Sequence, residues 1–282
     1  MSDLRVLCGT ETAASSRAPP SASAVEAALQ NRLIAALPAA ARNSLLALCE
    51  PVQLSLSETL CEAGEDTRHV YFPTEAFISL LARIDKHPSL EMGMIGREGM
   101  LGIQLSLGVN RAPLRALVQG DGQAWRCAAP VFVAELARSK PLQAVLQRYL
   151  YVRLALLTSA AGCLRFHQIG PRLARWLLMS QDRARAPQLA VTHEFLAYML
   201  GVRRVGVTQA AGAMQRSGLI EYHRGELTVL DRSGLEAAAC SCYAADLANY
   251  ADQFPCPQLQ PTLRRSGLKR AAFVPRRVVH GR

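Results

Sequence analysis

The residues with the most legible chemistry lie in 192–220, where Arg203 and Arg204 stand side by side just ahead of a helical apolar pattern. Val207, Ala210, Ala211 and Met214 recur at i, i+3, i+4 and i+7, which is the buried stripe of an amphipathic helix. The opposite face carries Val205, Thr208, Gln209, Gly212 and Arg216. Cationic side chains at a helix N-terminus oppose the macrodipole, so two of them there point to a polyanionic ligand. Upstream, Thr192 suits an N-cap and Glu194 adds negative charge to a first turn. Phe195, Leu196, Met199 and Leu200 form a second stripe that ends at Gly201, a residue able to turn the chain in a left-handed conformation. An arginine-tipped helix with small polar residues on its free face, set across a tight turn from another helix, fits the major groove of DNA.

Other arrangements offer less. No Ser/His/Asp, Cys/His or paired-carboxylate set has a persuasive context, so no catalytic residue is assigned and the chain is read as a non-enzyme. Cysteines stand at 8, 49, 61, 127, 163, 240, 242 and 256. Cys240, Cys242 and Cys256 come nearest to a group, but their spacing matches neither a zinc nor an iron–sulfur pattern and no histidine lies near them in sequence. The expectation is therefore reduced thiols, no metal and no cofactor. A cupin-type metal enzyme needs about three histidines and a carboxylate, and the strand-rich region offers only His69 and His87.

The elements that must hold the arginine-tipped helix follow from pattern. The runs 219–222 and 227–230, joined by His223, Arg224, Gly225 and Glu226, read as a hairpin that makes the C-terminal domain (167–254) a winged helix-turn-helix. At 282 residues the chain accommodates about two domains. Residues 1–25, rich in Ala, Ser, Thr and Pro, are expected to be a disordered arm, and Leu29, Leu33, Leu37, Leu45 and Leu48, interrupted by Pro38, two short helices. From Pro51 the period drops to two: Val52, Leu54 and Leu56, then short apolar runs at 70–72, 77–84, 92–95, 103–107 and 114–118, punctuated by glycines. That spacing predicts a small antiparallel barrel or jelly roll, a sensor domain spanning 26–130.

Residues 131–166 read as a short helix and a long one beginning at Pro141. Leu142, Tyr149, Leu156 and Cys163 repeat every seven residues, with Val145, Val152, Ser159 and Phe166 between them, and predict a two-helix dimer seam. The fold class expected is α+β: a β-roll, a long dimerisation helix and a winged helix-turn-helix.

A net charge of +10 favours a polyanionic partner, and seven of the cations lie in 255–282, which has no acidic residue. That segment reads either as a mobile arm adding sequence-independent phosphate contacts or as a solvated tail. No run of about 18 apolar residues could span a bilayer, and the first thirty residues lack a signal-like apolar segment, so a cytoplasmic protein is expected.

The order β-roll, long helix, winged helix-turn-helix resembles the Crp/Fnr superfamily of transcription regulators, most strongly in VTHEFLAYMLGVRRVGVTQAAGAMQRSGLI at 191–220. The resemblance implies a homodimer that binds double-stranded DNA at a two-fold symmetric operator and works with RNA polymerase. It places Thr192, His193 and Arg203 at phosphate contacts and Arg204, Val205 and Gln209 at base contacts, with Thr208 on the same face. Val205 replaces a glutamate that accepts from cytosine, and Gln209 a second reading arginine, so the operator should differ from the family's best-known half-site. The family's cyclic-nucleotide pocket corresponds to GREGMLGIQLSLGVNRAPLRA at 96–116. There Met100 follows Gly99 where a glutamate is expected, a one-residue shift could bring in Glu98, and Arg111 is followed by Ala112 in place of serine. The pocket is degenerate by this reading, and the small-molecule effector is left open.

Overall fold

The computed structural model describes residues 21–85, 89–184 and 188–255; most of the expected N-terminal arm, His87, Cys8, Cys256 and nearly all of the basic tail lie outside the described residues. Helix α1 (Ala22–Ala28) starts within the segment expected to be an arm, because the Ser21 hydroxyl accepts the Ala24 N–H and Ala28 is buried in the core. Helices α2 (Arg32–Ala35) and α3 (Ala39–Ala47) follow, with Pro38 at the start of the latter. Asn31 fixes the entry of α2. Its Oδ1 accepts the Leu33 and Ile34 N–H groups, and its Nδ2 donates to the carbonyls of Pro73 and Gly99, both at 2.9 Å.

Among the described residues seven strands make the N-terminal domain: β1 (Glu50–Leu54), β2 (Thr59–Cys61), β3 (His69–Pro73), β4 (Phe77–Ala82), β5 (Leu90–Ile95), β6 (Arg115–Gly120) and β7 (Gly122–Ala128). They form two antiparallel sheets with orders β1-β7-β3 and β2-β6-β4-β5. Leu54, Tyr71, Ile78, Ile95, Val118 and Ala124, drawn from both sheets, meet in one cluster, so the sheets pack face to face. The run 103–107, expected as a strand, is a 3-10 turn (Ile103–Leu107). Gly102 and Gly108 flank it at φ 96° and 74°, and that left-handed backbone prevents an extended ladder.

Helix α4 (Ala129–Arg138) leads into α5 (Lys140–Phe166), where the Ser139 hydroxyl accepts the Leu142 N–H. The predicted dimer seam does not face outward. Leu142, Val145, Tyr149 and Val152 are buried against this chain's own N-terminal core, and Cys163 against its C-terminal domain. Leu156 and Ser159 are half-buried on the same side, and only Phe166 is exposed. The physical reason is that α5 carries two apolar stripes at heptad spacing. The bulkier one is consumed by folding. The stripe on the outer side is Leu150, Leu154, Leu157, Ala161 and Leu164, half-buried at Leu150 and Leu157 and exposed at the other three, with Leu154 at 64%.

The rest of the chain runs α6 (Ile169–Ala184), β8 (Gln188–Ala190), α7 (His193–Leu200), α8 (Arg204–Arg216), β9 (Ile220–His223), β10 (Glu226–Val229), α9 (Arg232–Ala238) and α10 (Cys242–Gln253). Strands β8, β10 and β9 form a third antiparallel sheet, with β8 a strand the sequence pattern did not announce. Helix α10 turns back along α5, where Arg148 donates to the Gln253 carbonyl at 3.1 Å and lies over the Phe254 ring.

The C-terminal domain is docked on the β4–β5 face, since Phe77, Leu81 and Met94 share a core with Leu173, Trp176, Leu177 and Leu196. Polar contacts also cross that junction. Trp176 Nε1 donates to Glu91 at 3.1 Å, and Arg183 pairs with Glu98 at 2.6 Å, both partners of the ion pair almost fully buried. Burial alone would raise the Glu98 carboxyl, but the Arg183 guanidinium and the Gly96 N–H hold it below its usual range. For Glu91 burial wins and lifts the pKa to about 7 despite bonds from Ser79 and Trp176.

Candidate nucleic-acid interface

Helix α7 begins where the Thr192 hydroxyl accepts the Phe195 N–H at 3.1 Å. It ends at Gly201, whose φ of 61° lets the chain reverse within a short turn. Helix α8 then starts from Arg203, which has no side-chain cap. Its buried stripe is Val207, Ala211 and Met214, as the spacing predicts, with Ala210 half-buried beside it. Gly206 sits where a Cβ would come within 2.5 Å of the Ile169 side chain, so α8 lies close on α6 there.

The outward face presents Arg203, Arg204, Val205, Thr208 and Gln209, all exposed, with Val205 at 67%. Neither arginine makes an ion pair or side-chain hydrogen bond with any described residue. Two guanidinium groups thus stand free in water at a helix N-terminus, flanked by small side chains. That surface matches phosphate and base-edge chemistry and leaves no obvious role in the chain's own stability.

Thr208 and His193 behave differently from the sequence expectation. Thr208 Oγ1 donates to the Arg204 carbonyl at 3.1 Å and lies 3.1 Å from His193 Nδ1. With the hydroxyl proton committed, His193 Nδ1 is the donor to Thr208. The imidazole stacks on Tyr222 of the wing at 4.3 Å between centroids. Its Nε2 is buried without a hydrogen-bond partner, and burial followed by the Arg204 charge lowers its pKa. His193 therefore braces α8 against the wing, its ring stacked on Tyr222 and its Nδ1 beside Thr208.

The wing itself is β9 and β10 joined by the two-residue loop Arg224-Gly225 at φ 47° and 88°. Both residues in the left-handed region is the signature of a type I′ turn, and it places exposed Arg224 at the tip. The sequence reading counted Arg224 only as loop; the Arg-Gly dipeptide between alternating strands was the signal for its position.

Residues 171–238 match the Crp-like helix-turn-helix domain. Among solved structures the chain is similar to a protein of Eubacterium rectale ATCC 33656 described as a transcriptional regulator of the crp/fnr family, with TM-score 0.58 and 18% identity over 72% of this chain and 94% of that one. It is also similar to the c-di-GMP-responsive global regulator CLP of Xanthomonas campestris (TM-score 0.56, 18% identity, 69% and 100% covered). A CRP-family transcriptional regulator of Thermus thermophilus gives TM-score 0.57 at 18% identity, with 67% and 96% covered. No curated protein matches the sequence. The segment 171–238 thus carries the Crp-like helix-turn-helix domain, and the chain as a whole shares the fold of these structures.

The β-roll departs from what the sequence resemblance implied. Glu98 is committed to Arg183, Gly99 backs directly onto Tyr149, and Arg111 is exposed with its guanidinium on the Gly64 carbonyl at 3.3 Å. Only Met100 and Ala112 of the five candidate pocket residues line the cavity of about 420 Å³ that lies between the sheets and α5. Its walls are mainly apolar, with Leu80, Met92, Ile95 and Leu114 among them. The candidate effector residues are thus not brought together, because a buried ion pair to the C-terminal domain has taken the carboxylate. Two arginines, Arg68 and Arg153, also line the cavity, and Arg153 donates to the Met94 carbonyl at 3.2 Å.

Proposed function

We propose that this chain binds double-stranded DNA as a homodimer and reads a two-fold symmetric operator through α8, controlling transcription by RNA polymerase in the cytoplasm. The observation that carries the reading is the pair Arg203 and Arg204, exposed and without an ion-pair partner among the described residues, at the start of a helix whose own stripe is buried. Arg204 is the bidentate reader of guanine, Gln209 of adenine, and Val205 packs on a thymine methyl. Arg203, Thr192 and Arg224 contact phosphates, and these set register without reading sequence. Dimerisation uses the stripe Leu150, Leu154, Leu157, Ala161 and Leu164 of α5, whose 3–4 spacing supports a left-handed two-helix seam. Two heads held this way address successive major grooves, about 34 Å apart.

Selection from a random duplex pool with purified full-length protein tests the reading. The expected result is an inverted repeat with one guanine per half-site whose selection disappears in Arg204→Ala. Enrichment of no motif, or of a motif indifferent to that substitution, refutes it.

A further inference from the structure

Four side chains from two separate segments converge where the long helix meets the C-terminal domain. Cys163 sits in the last turn of α5, His167 caps that helix, Cys240 lies in the connection between α9 and α10, and Cys242 is the first residue of α10. The Cys163 and Cys240 sulfurs are 3.6 Å apart, and Cys242 Sγ is 3.5 Å from His167 Nδ1. All four ligand atoms lie within 4.8 Å of one another.

Those separations have a direct geometric meaning. Four ligands in a tetrahedron around zinc, with sulfur at about 2.3 Å and nitrogen at about 2.0 Å, have edges of roughly 3.5–3.8 Å. The two closest contacts already equal such edges, and the remaining ones need a contraction of about an ångström at most. A Cys163–Cys240 disulfide would leave the contact between Cys242 and His167 unexplained.

The surroundings suit thiolates. The Cys242 N–H bonds to the Cys240 sulfur, an amide-to-sulfur contact of the kind that supports a metal-bound Cys-x-Cys loop. Arg172 and Arg175 of α6 lie near the Cys163 and Cys240 sulfurs. Three thiolates and one neutral imidazole around a divalent ion leave a net charge of −1, which these guanidinium groups offset in a partly enclosed site. Cys163 and Cys240 are buried, so the ligand would be shielded from bulk water.

We propose that Cys163, His167, Cys240 and Cys242 form a Cys3His site for a soft divalent cation, Zn²⁺ first, clamping the hinge between α5 and the reading domain. Three sulfur donors and one nitrogen select zinc over calcium or magnesium. On binding, each cysteine still carrying a proton releases it to solvent as its Zn–S bond forms, and no electron is transferred. The ion joins segments more than seventy residues apart, so it fixes the angle at which the winged domain leaves the long helix. The spacing rule missed the site because only the Cys240–Cys242 pair is local; the other two ligands come from far upstream in the chain.

The test uses full-length protein purified under reducing conditions. Elemental analysis after equilibration with Zn²⁺ and removal of the excess is expected to give about one zinc per chain. Replacement by Co²⁺ is expected to give tetrahedral d–d absorption together with thiolate-to-cobalt charge transfer. Cys242→Ser and His167→Ala, at positions open enough to tolerate change, lower the affinity for Zn²⁺ by at least about tenfold, whereas Cys61→Ser on β2 leaves it unchanged. The proposal is overturned by an octahedral cobalt spectrum, by stoichiometry near zero in the folded wild-type chain, or by a Cys163–Cys240 disulfide that forms in place of metal uptake. Equal metal content in Cys242→Ser and wild type overturns the ligand set.

Discussion

Replacing Leu154 with glutamate should separate the protomers without unfolding them. Full burial of a leucine contributes about 1.5–3 kcal/mol. Leu154 is 64% exposed in the single chain, so covering it in a two-helix seam contributes about 1–2 kcal/mol per copy and about 2–4 kcal/mol per symmetric dimer. Loss of that term alone raises the dimer dissociation constant about 30- to 1,000-fold, and two facing carboxylates add to it. The counterpart is Leu142→Ala on the stripe first expected at the seam. Leu142 is 2% exposed in the chain's own core, so the cavity should cost about 2–5 kcal/mol of folding stability while leaving association intact. Sedimentation equilibrium gives the dissociation constant and a denaturant titration gives the stability. Leu154→Glu associating like the wild type while Leu142→Ala dissociates would overturn this assignment of the two faces.

Arg204→Ala should weaken the selected operator by about 1–3 kcal/mol and erase preference at one base pair, whereas Arg203→Ala should weaken all sequences alike and lower the salt slope by about 0.9; fluorescence anisotropy at several salt concentrations distinguishes the two. Glu91, whose ordinary pKa of 4.5 is lifted by burial to about 7 against the opposing pull of Ser79, Arg183, Trp176 and Arg175, favours folding most below pH 4.5 and loses that contribution as the pH climbs through 7. The full shift corresponds to about 3 kcal/mol, reduced to about 1–2 kcal/mol because the side chain keeps some exposure, and Glu91→Gln should flatten the stability difference between pH 5 and pH 8 by that amount. An unchanged pH profile contradicts that role for Glu91. Arg183→Ala leaves Glu98 buried without its cation and should cost about 3–5 kcal/mol, while Arg183→Met together with Glu98→Gln should recover most of it; thermal unfolding of the three chains decides.

The reading head was legible because its information is local. A cap at Thr192, a left-handed stop at Gly201 and a stripe at Val207, Ala211 and Met214 each depend on neighbours within a turn or two, and helix periodicity exposes them directly. The strands from Val52, Val70, Phe77 and Leu114 were legible for the same reason, while β2, three residues long, and the 3-10 turn after Gly102 were decided by pairing partners and backbone sign that composition does not display.

Residue order is enough to specify the arginine-tipped helix, its turn, its wing and the presence of a long amphipathic helix. It is not enough to say which side of that long helix is spoken for. Two heptad frames satisfy the same rule of spacing, and the choice between them rests on what the sheets bury, which is a property of the whole core. The same holds for Glu98, drawn away from the cavity by Arg183 some eighty-five residues later, and for the Cys163, His167, Cys240 and Cys242 cluster. Contacts between distant segments exist only once the chain has closed its loops, so no window of sequence contains them.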